Sequence, residues 1–242
     1  MFSFFKKRNL ITDITWLGVD IHSHILPGID DGAKEVTQSL SYISQMQELG
    51  FEKLFFTPHI YTELYPNTAA TILPALQNVQ DGLIAANNSI YVGAAAEHMV
   101  DYSFVVKDDL MCLPGKHILI EMSYLSETPN IEKVVFDLQI KGYKVILAHP
   151  ERYNFYHKTV DRYHRLREMG CLFQLNLLAT TGYYGKEVKQ ASDYLLAHQL
   201  YDLAATDLHH DKHMGLLTKI VQNGELFKNI GHYEFKNREL FL

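Results

Sequence analysis

The sequence predicts an α/β fold, a somewhat irregular seven-stranded (β/α) barrel, and three observations carry that expectation. Short apolar runs alternate with helical patterns seven times along the 242 residues, which indicates parallel strands covered by helices. A polar or charged residue follows the carboxyl end of every run, and only a closed or nearly closed ring gathers seven strand ends around one point. No Ser/Gly linker, short-period repeat or charge block divides the chain, so residues 17–242 are expected to form one domain behind an arm at 1–16.

The elements follow in order. The first strand, 17–21, delivers His22 and His24. A helix over 34–49 carries Val36, Leu40, Ile43, Met46 and Leu49 near helical spacing, and Gly50 ends it. The strand 51–57 is closed by Pro58 and His59. A helix over 67–88 shows Ile72, Leu76, Val79, Leu83 and Ile84 on one face, and the thin strand 90–96 leads to Glu97. Strand 117–120 leads to Glu121, helix 131–141 to strand 144–148 and His149, and helix 161–169 to strand 171–175 and Asn176. After a helix over 185–198, strand 202–206 leads to Asp207 and His209. A helix over 215–223 and a final turn within 235–242 complete the pattern.

Composition narrows the class. The 47% hydrophobic and 21% charged fractions are those of an ordinary soluble protein. A formal charge of −6 argues against a general nucleic-acid binder. Cys112 and Cys171 are isolated, with no C-x-x-C, so they are read as reduced thiols in a cytoplasmic protein. The start, Met1 to Arg8, is apolar and then basic, the wrong order for a signal peptide. No run of about 18 apolar residues exists, so membrane association is expected only indirectly. The arm is expected to pack on its own domain or on a neighbouring copy in a homo-oligomer.

The polar residues carry the chemistry. In an extended segment residues i and i+2 point the same way, so His22 and His24 can grip one ion. Pro27, Gly28 and Gly32 let the chain double back and return Asp31 to the same place. With His59, Glu97, His149, Asp207 and His209 they make five imidazoles and three carboxylates. A catalytic zinc takes about three protein ligands and an open position, so the set implies two or three ions, with Glu97 as the bridge. Imidazole suits Zn, Mn, Fe or Ni, and carboxylates extend the choice towards harder ions. Glu121 is expected to line the pocket or orient a ligand. His98, His117, His157, His164, His198, His210, His213 and His232 are read as surface or loop groups, and the tyrosines as packing and rim residues.

An ordered set of motifs points further: Asp20, His22 and His24 followed by Asp30, Asp31 and Gly32; then Thr57, Pro58 and His59; then Glu97. His149, Pro150, Glu151, Arg152 and Tyr153 follow, then Met169, Gly170 and Cys171 with Gln174, Leu175 and Asn176, and finally Asp207, Leu208 and His209. From about residue 17 onward the chain resembles the polymerase and histidinol phosphatase (PHP) superfamily of metal-dependent phosphoesterases. Within it, the chain is similar to the CpsB/CapC-like bacterial tyrosine-phosphatase branch of capsule and exopolysaccharide synthesis. The resemblance implies a distorted TIM-like barrel, the PHP fold, holding three divalent ions, Mn²⁺ first, with Fe, Co or Zn as alternatives. One ion would take His22, His24, Glu97 and Asp207, a second His59, Glu97 and His149, and a third Asp31 and His209. Arg152 falls where the family places a phosphate-binding arginine, and Asp20 is expected to orient a histidine ligand. Relatives often carry another arginine after the last D-x-H. Here His210, Asp211, Lys212 and His213 stand there, so Lys212 is expected to supply charge without a planar fork.

The reaction implied is hydrolysis of a phosphate monoester, in which positioning and charge neutralisation dominate. Clustered divalent ions generate hydroxide near neutral pH, and in-line attack by a bridging hydroxide needs no covalent intermediate. Arg152 is expected to hold the phosphate, and His209, Asp207 or a bound water to protonate the leaving tyrosinate. A cysteine mechanism is excluded, because neither thiol shows the C-x5-R spacing. The expected substrate is a phosphotyrosine protein, a bacterial tyrosine kinase of polysaccharide export. The alternatives are a phosphatase for histidinol phosphate or another small molecule, and a metal-binding scaffold that docks the kinase without turnover.

Overall fold

In this computed structural model the described residues are 10–242, so residues 1–9 of the expected arm lie outside them. The α/β alternation stands, and every strand pairing is parallel. Strand β1 (Val19–Asp20) pairs with β2 (Lys53–Phe56), and β2 with β4 (Tyr91–Ala94). A second sheet runs β3 (His59–Ile60), β5 (Glu97–Met99), β6 (His117–Glu121), β7 (Lys144–Ala148), β8 (Leu172–Asn176) and β9 (Leu203–Ala205). The expected single closed ladder of seven strands is therefore not what forms; among the described residues nine strands lie in two sheets.

The reason is local. Pro58 has no N–H to give a ladder, and it splits the expected strand 51–57 and its extension into β2 and β3. A break at Ala95 and Ala96 separates β4 from β5 in the same way. Backbone bonds still cross the gap, from Ala95 N–H to the Phe56 carbonyl (2.9 Å) and from Glu97 N–H to that of Pro58 (3.2 Å). At the other edge the chain beyond β1 meets the chain beyond β9. Asp207 N–H donates to the His22 carbonyl (2.8 Å), His24 N–H donates to that of Leu208 (2.9 Å), and Ser23 forms an isolated parallel bridge with Leu208.

Helices α1 (Val36–Leu49), α2 (Ala69–Ala85), α3 (Ile131–Ile140), α4 (Asp161–Glu168) and α5 (Lys186–Ala197) lie where the periodicity puts them. Helix α6 (Asp211–Gln222) begins four residues before the expected start at 215, because the His210 ring accepts the His213 N–H and caps it. The short α7 (Glu225–Ile230) was not expected; α8 (Asn237–Phe241) is the final turn. Among the described residues no helix is long and apolar enough to cross a membrane.

Two buried layers result. The larger lies between the sheets and their helices, and the smaller gathers Val19, Ile21, Phe55, Ala95, Leu119, Ile146, Ala148, Leu203 and Ala205 with Phe241 of α8. On β6, Leu119 belongs to this inner layer and Glu121, two residues on, shares its side. The inner layer is therefore the floor beneath the polar strand ends. Helix α8 closes it from below through Asn237, which is fully buried. Its Nδ2 donates to the carbonyls of Val19 (2.9 Å) and Ala204 (2.7 Å), and its Oδ1 accepts from Ala204 N–H (3.0 Å). Asn237→Ala leaves these three groups without their partner, so a loss of about 3 kcal/mol or more is expected from penalties of roughly 1–3 kcal/mol per buried group. Urea unfolding checks it; a loss below about 1 kcal/mol would show that α8 is not a structural tie.

Candidate metal centre

Each sequence-derived ligand except Asp31 and His209 leaves directly from or beside a strand end, and the local backbone aims it inward. His149 follows β7 with φ +31° and Asp207 follows β9 with φ +49°, both in the left-handed region that non-glycine residues seldom adopt. Such strain persists where surrounding structure holds it and clusters at functional sites. Asp30 and Asp31 return over His24 as expected. Ala33 N–H donates to the His24 carbonyl (3.0 Å), and a Cβ on Gly32 would lie 1.5 Å from that same oxygen. Only glycine fits there.

The tautomers of the first two rings follow from their partners. Gln174 Nε2 donates to the Leu175 carbonyl (2.7 Å), so its Oε1 faces His22 and accepts from His22 Nδ1–H (2.9 Å). His24 Nδ1–H donates to Asp30 Oδ2 (2.9 Å). The Nε2 atoms of His22 and His24 are then both turned to one point, 3.1 Å apart. Glu97 Oε2 is 3.3 Å from each, and Asp207 Oδ1 is 3.4 and 3.5 Å from them. Four acceptor atoms crowd a point that only positive charge can relieve.

The same holds around it. Glu97 Oε1 lies 3.0 Å from His149 Nε2, while its Oε2 also lies 3.1 Å from His59 Nδ1, so this carboxylate touches four histidines, His22, His24, His59 and His149, as a bridge can. His59 Nδ1 is 3.0 Å from Glu121 Oε1, and His59 Nε2 is 3.6 Å from Asp31 Oδ1. His209 Nε2 is 3.7 Å from that same Asp31 oxygen. Ligand-sized groups form from His22, His24 and Asp207; from His22, Glu97 and His149; from His59, Glu97 and Glu121; and from His24, Asp31, His59 and His209. His59 thus sits with Asp31 and His209 as well as with Glu97, and His149 groups with His22 rather than with His59.

These residues fit divalent ions. Among the described residues His59 Nδ1 and Glu97 Oε2 are buried without a hydrogen-bond partner although they lie 3.1 Å apart, and His149 Nδ1 is buried and unpaired too. Buried polar atoms are almost always paired, and the distances without the hydrogen-bond geometry are those of ligands around a cation. Charge tells the same story. Burial and His59 work against a proton on His24, yet Asp30 and Glu97 lift it to about 10. Burial also opposes charge on His59, but Glu121 and Glu97 raise it well above the ordinary value. Glu97, despite burial, is held well below the usual carboxylate range by His22 and His149. The cluster demands cations.

Arg152 lies where a phosphate over the cluster can be reached. Its Nη1 donates to Asp207 Oδ2 (2.8 Å), and its guanidinium carbon is 4.5 Å from the Tyr124 ring centre and 4.4 Å from that of Tyr184. Asn176 Nδ2 donates to the same Asp207 oxygen (2.8 Å) and lies 3.1 Å from Tyr184 Oη. A cavity of about 650 Å³ opens here, lined by the outer part of the cluster (Asp31, His59, Glu97, His149, Asp207 and His209), by Arg152 and by a rim that includes Leu64, Leu125 and Tyr183.

Several roles differ from the sequence reading. Asp20 does not orient a histidine; it accepts from Thr206 N–H (2.8 Å) and Oγ1 (2.9 Å), and burial pushes it up to about 7. Gln174 and Asp30 orient the rings instead. Lys212 is exposed on α6 and does not line the cavity, whereas His210 and His213, read as surface groups, do. The Tyr124–Arg152–Tyr184 stack had no sequence signal, because its members come from three separate loops. Neither cysteine lines the cavity, and burial pushes Cys171 up to about 12.

Known proteins share this fold and much of this chain's length. The family model described as capsular polysaccharide synthesis, CpsB/CapC, matches residues 18–218. The tyrosine-protein phosphatase YwqE of Bacillus subtilis is 29% identical over 93% of this chain and 91% of its own length. A solved structure, described as YwqE from Bacillus subtilis and CpsB from Streptococcus pneumoniae, unique metal-dependent tyrosine phosphatases, matches with TM-score 0.78 and 28% identity. It covers 92% of this chain and 90% of that one. An amidohydrolase from Mycoplasma synoviae, at TM-score 0.57 and 13% identity over 93% of this chain and 88% of its own, shares the fold alone.

Removing an orienting partner is expected to weaken ion binding without removing a ligand. Asp30→Ala should lower affinity for Mn²⁺ about ten- to a hundredfold, read by calorimetric titration of the ion-free protein. Unchanged affinity would mean that Asp30 does not fix the His24 ring.

Proposed function

The chain belongs to the CpsB/CapC family of capsular polysaccharide synthesis, and on that footing we propose that it is a metal-dependent protein-tyrosine phosphatase. Its substrate in this reading is a phosphotyrosine protein, a bacterial tyrosine kinase of capsule or exopolysaccharide synthesis. The observation that carries the proposal is the pair of His22 and His24 Nε2 atoms 3.1 Å apart, facing Glu97 and Asp207 beside a stacked arginine. Further support comes from relatives named as tyrosine phosphatases along nearly the whole chain.

In this proposal residues 17–242 work as one domain, and the two sheets act together as an interrupted barrel with the site at their carboxyl ends. Three divalent ions are proposed, Mn²⁺ first. His22, His24, Glu97 and Asp207 would hold one, Glu97 with His149 a second, and Asp31, His59 and His209 a third, with Glu121 beside His59. Bound there, the ions supply neutralisation of the phosphate charge and a water acidified towards neutral pH.

The chain's own groups do the rest. Arg152 keeps donors beyond the one given to Asp207 and can offer them to phosphate oxygens as charge-assisted bonds. Stacking on both faces restricts its guanidinium to one plane, which a lysine could not match. Asp207, bonded by Arg152 and Asn176, stays ionised and is no proton donor. His209 Nδ1–H donates to the Asp207 carbonyl (2.9 Å), so its Nε2 presents a lone pair and is suited to bind rather than to protonate. A leaving tyrosinate, with an ordinary pKa of about 10, can take its proton from solvent in the open cavity.

Chelation is expected to abolish hydrolysis of a phosphotyrosine peptide, and Mn²⁺ to restore it, while Cys112→Ser and Cys171→Ser leave it within about twofold of wild type. Full activity in verified ion-free protein, or a trapped phosphocysteine, would overturn the proposal, as would hydrolysis of histidinol phosphate with none of the peptide. Arg152→Ala should lower kcat/KM about ten- to several-hundredfold at unchanged metal content, with Arg152→Lys recovering only part. A loss below about threefold would take Arg152 away from the phosphate.

A further inference from the structure

At the mouth of the cavity three large apolar or aromatic groups are held out to solvent on three separate loops. Leu125, after β6, is 92% exposed, Leu64, after β3, is 65% exposed, and Tyr183, after β8, is 40% exposed; all three line the cavity. Single exposed leucines are commonplace, but an apolar rim gathered around one polar cavity marks a recognition surface. The strands that carry these loops, β3, β6 and β8, are not neighbours in their sheet, so the groups reach the opening from separate strand ends.

The loop that presents Leu64 is built rather than slack. Tyr61 and Tyr65 exchange backbone hydrogen bonds (2.9 and 2.8 Å), and the Tyr65 ring stacks on His59 with centres 5.4 Å apart. Ser103 Oγ donates to Thr62 Oγ1 (2.9 Å), and Tyr102 Oη donates to Glu63, both from the loop after β5. A rim already fixed in place loses little freedom when it is covered.

Charge narrows what covers it. Arg152 is the only lysine or arginine among the lining residues, and it is already bonded to Asp207. Asp31 stands half exposed at the opening. Outward of the ion cluster, an acidic side chain at the rim would meet no lysine or arginine other than Arg152 among the described lining residues, whereas an apolar one would meet leucine.

Resting on the phosphatase reading above, we propose that this rim is a subsite for the residues flanking phosphotyrosine, that it takes aliphatic or aromatic side chains, and that Leu64 and Leu125 determine this specificity. The occupant is the continuation of the substrate chain itself, because the rim and the phosphate site are walls of one cavity.

The test compares three phosphotyrosine peptides of equal length, with Leu, Ser or Glu on both sides of the phosphotyrosine, and phenyl phosphate, which has no flanks, on Mn²⁺-loaded protein. Wild type is expected to show kcat/KM about tenfold or more higher for the Leu-flanked peptide than for the others, the scale of burying part of an apolar side chain on each side. The double variant Leu64→Ser, Leu125→Ser should bring the three peptides within about twofold of one another and leave phenyl phosphate hydrolysis within about twofold of wild type. Equal rates on all three peptides with wild type, faster turnover of the Glu-flanked one, or a preference that survives in the double variant would overturn the inference alone. Turnover of phenyl phosphate with none of any phosphotyrosine peptide would overturn the protein-phosphatase reading and the inference with it.

Discussion

Everything at the carboxyl face of this fold answers to one electrostatic constraint: buried acceptors have been brought closer together than acceptors tolerate. His22 and His24 turn their Nε2 atoms to within 3.1 Å of each other, with Glu97 and Asp207 closing the same point. Like poles at that separation in a low-dielectric site repel strongly. A hydrogen bond cannot resolve the crowd, because the protons of both rings are committed behind them to Gln174 and Asp30. Cations resolve it, and the upward pull on His24 and His59 expresses the same demand as protons when protons are what is available.

That constraint explains features that look costly by themselves. His149 and Asp207 occupy left-handed backbone that neither residue prefers, and Gly32 sits against the His24 carbonyl where no Cβ fits. Each directs a donor atom to the cluster or returns the loop that orients one. The rigidity needed to hold such positions comes from below. The inner apolar layer seats the strand ends, and Asn237 and Phe241 of α8 close it from the far side. Parallel strands make this possible, because they send all their carboxyl ends to one face.

The candidate ligands were legible in the sequence because they follow apolar runs: each run advertises its own end, and one polar residue stands there. The doubling-back of the chain to Asp30 and Asp31 was legible too, since Pro27, Gly28 and Gly32 are turn residues. What could not be read was pairing through space. Asp20 and Asp30 look alike in sequence, yet Asp30 orients His24 while Asp20 fastens Thr206, just past β9. Tyr124 and Tyr184 read as ordinary packing tyrosines, and only the fold places them on the two faces of Arg152. The division into two sheets was half legible, for Pro58 was visible but the backbone bonds that carry the ladder past it were not. The start of α6 was missed because a histidine, seldom a helix cap, caps it.

Asp207 is where the two halves of the site meet. One of its oxygens faces His22 and His24, and the other receives Arg152 and Asn176. A carboxylate used in this way ties the position of the guanidinium proposed to bind phosphate to the position of the candidate metal cluster. Arg152 cannot drift from the cluster without giving up a buried charge-assisted bond, and stacking on two rings keeps it from tilting. Asn176 adds a second donor on the same oxygen and passes the linkage on to Tyr184, one of those two rings. The clamp and the cluster are therefore one hydrogen-bonded unit. In the proposed phosphatase, positioning and charge neutralisation, the two requirements of phosphoryl transfer, would be coupled through a single shared carboxylate rather than supplied by independent parts.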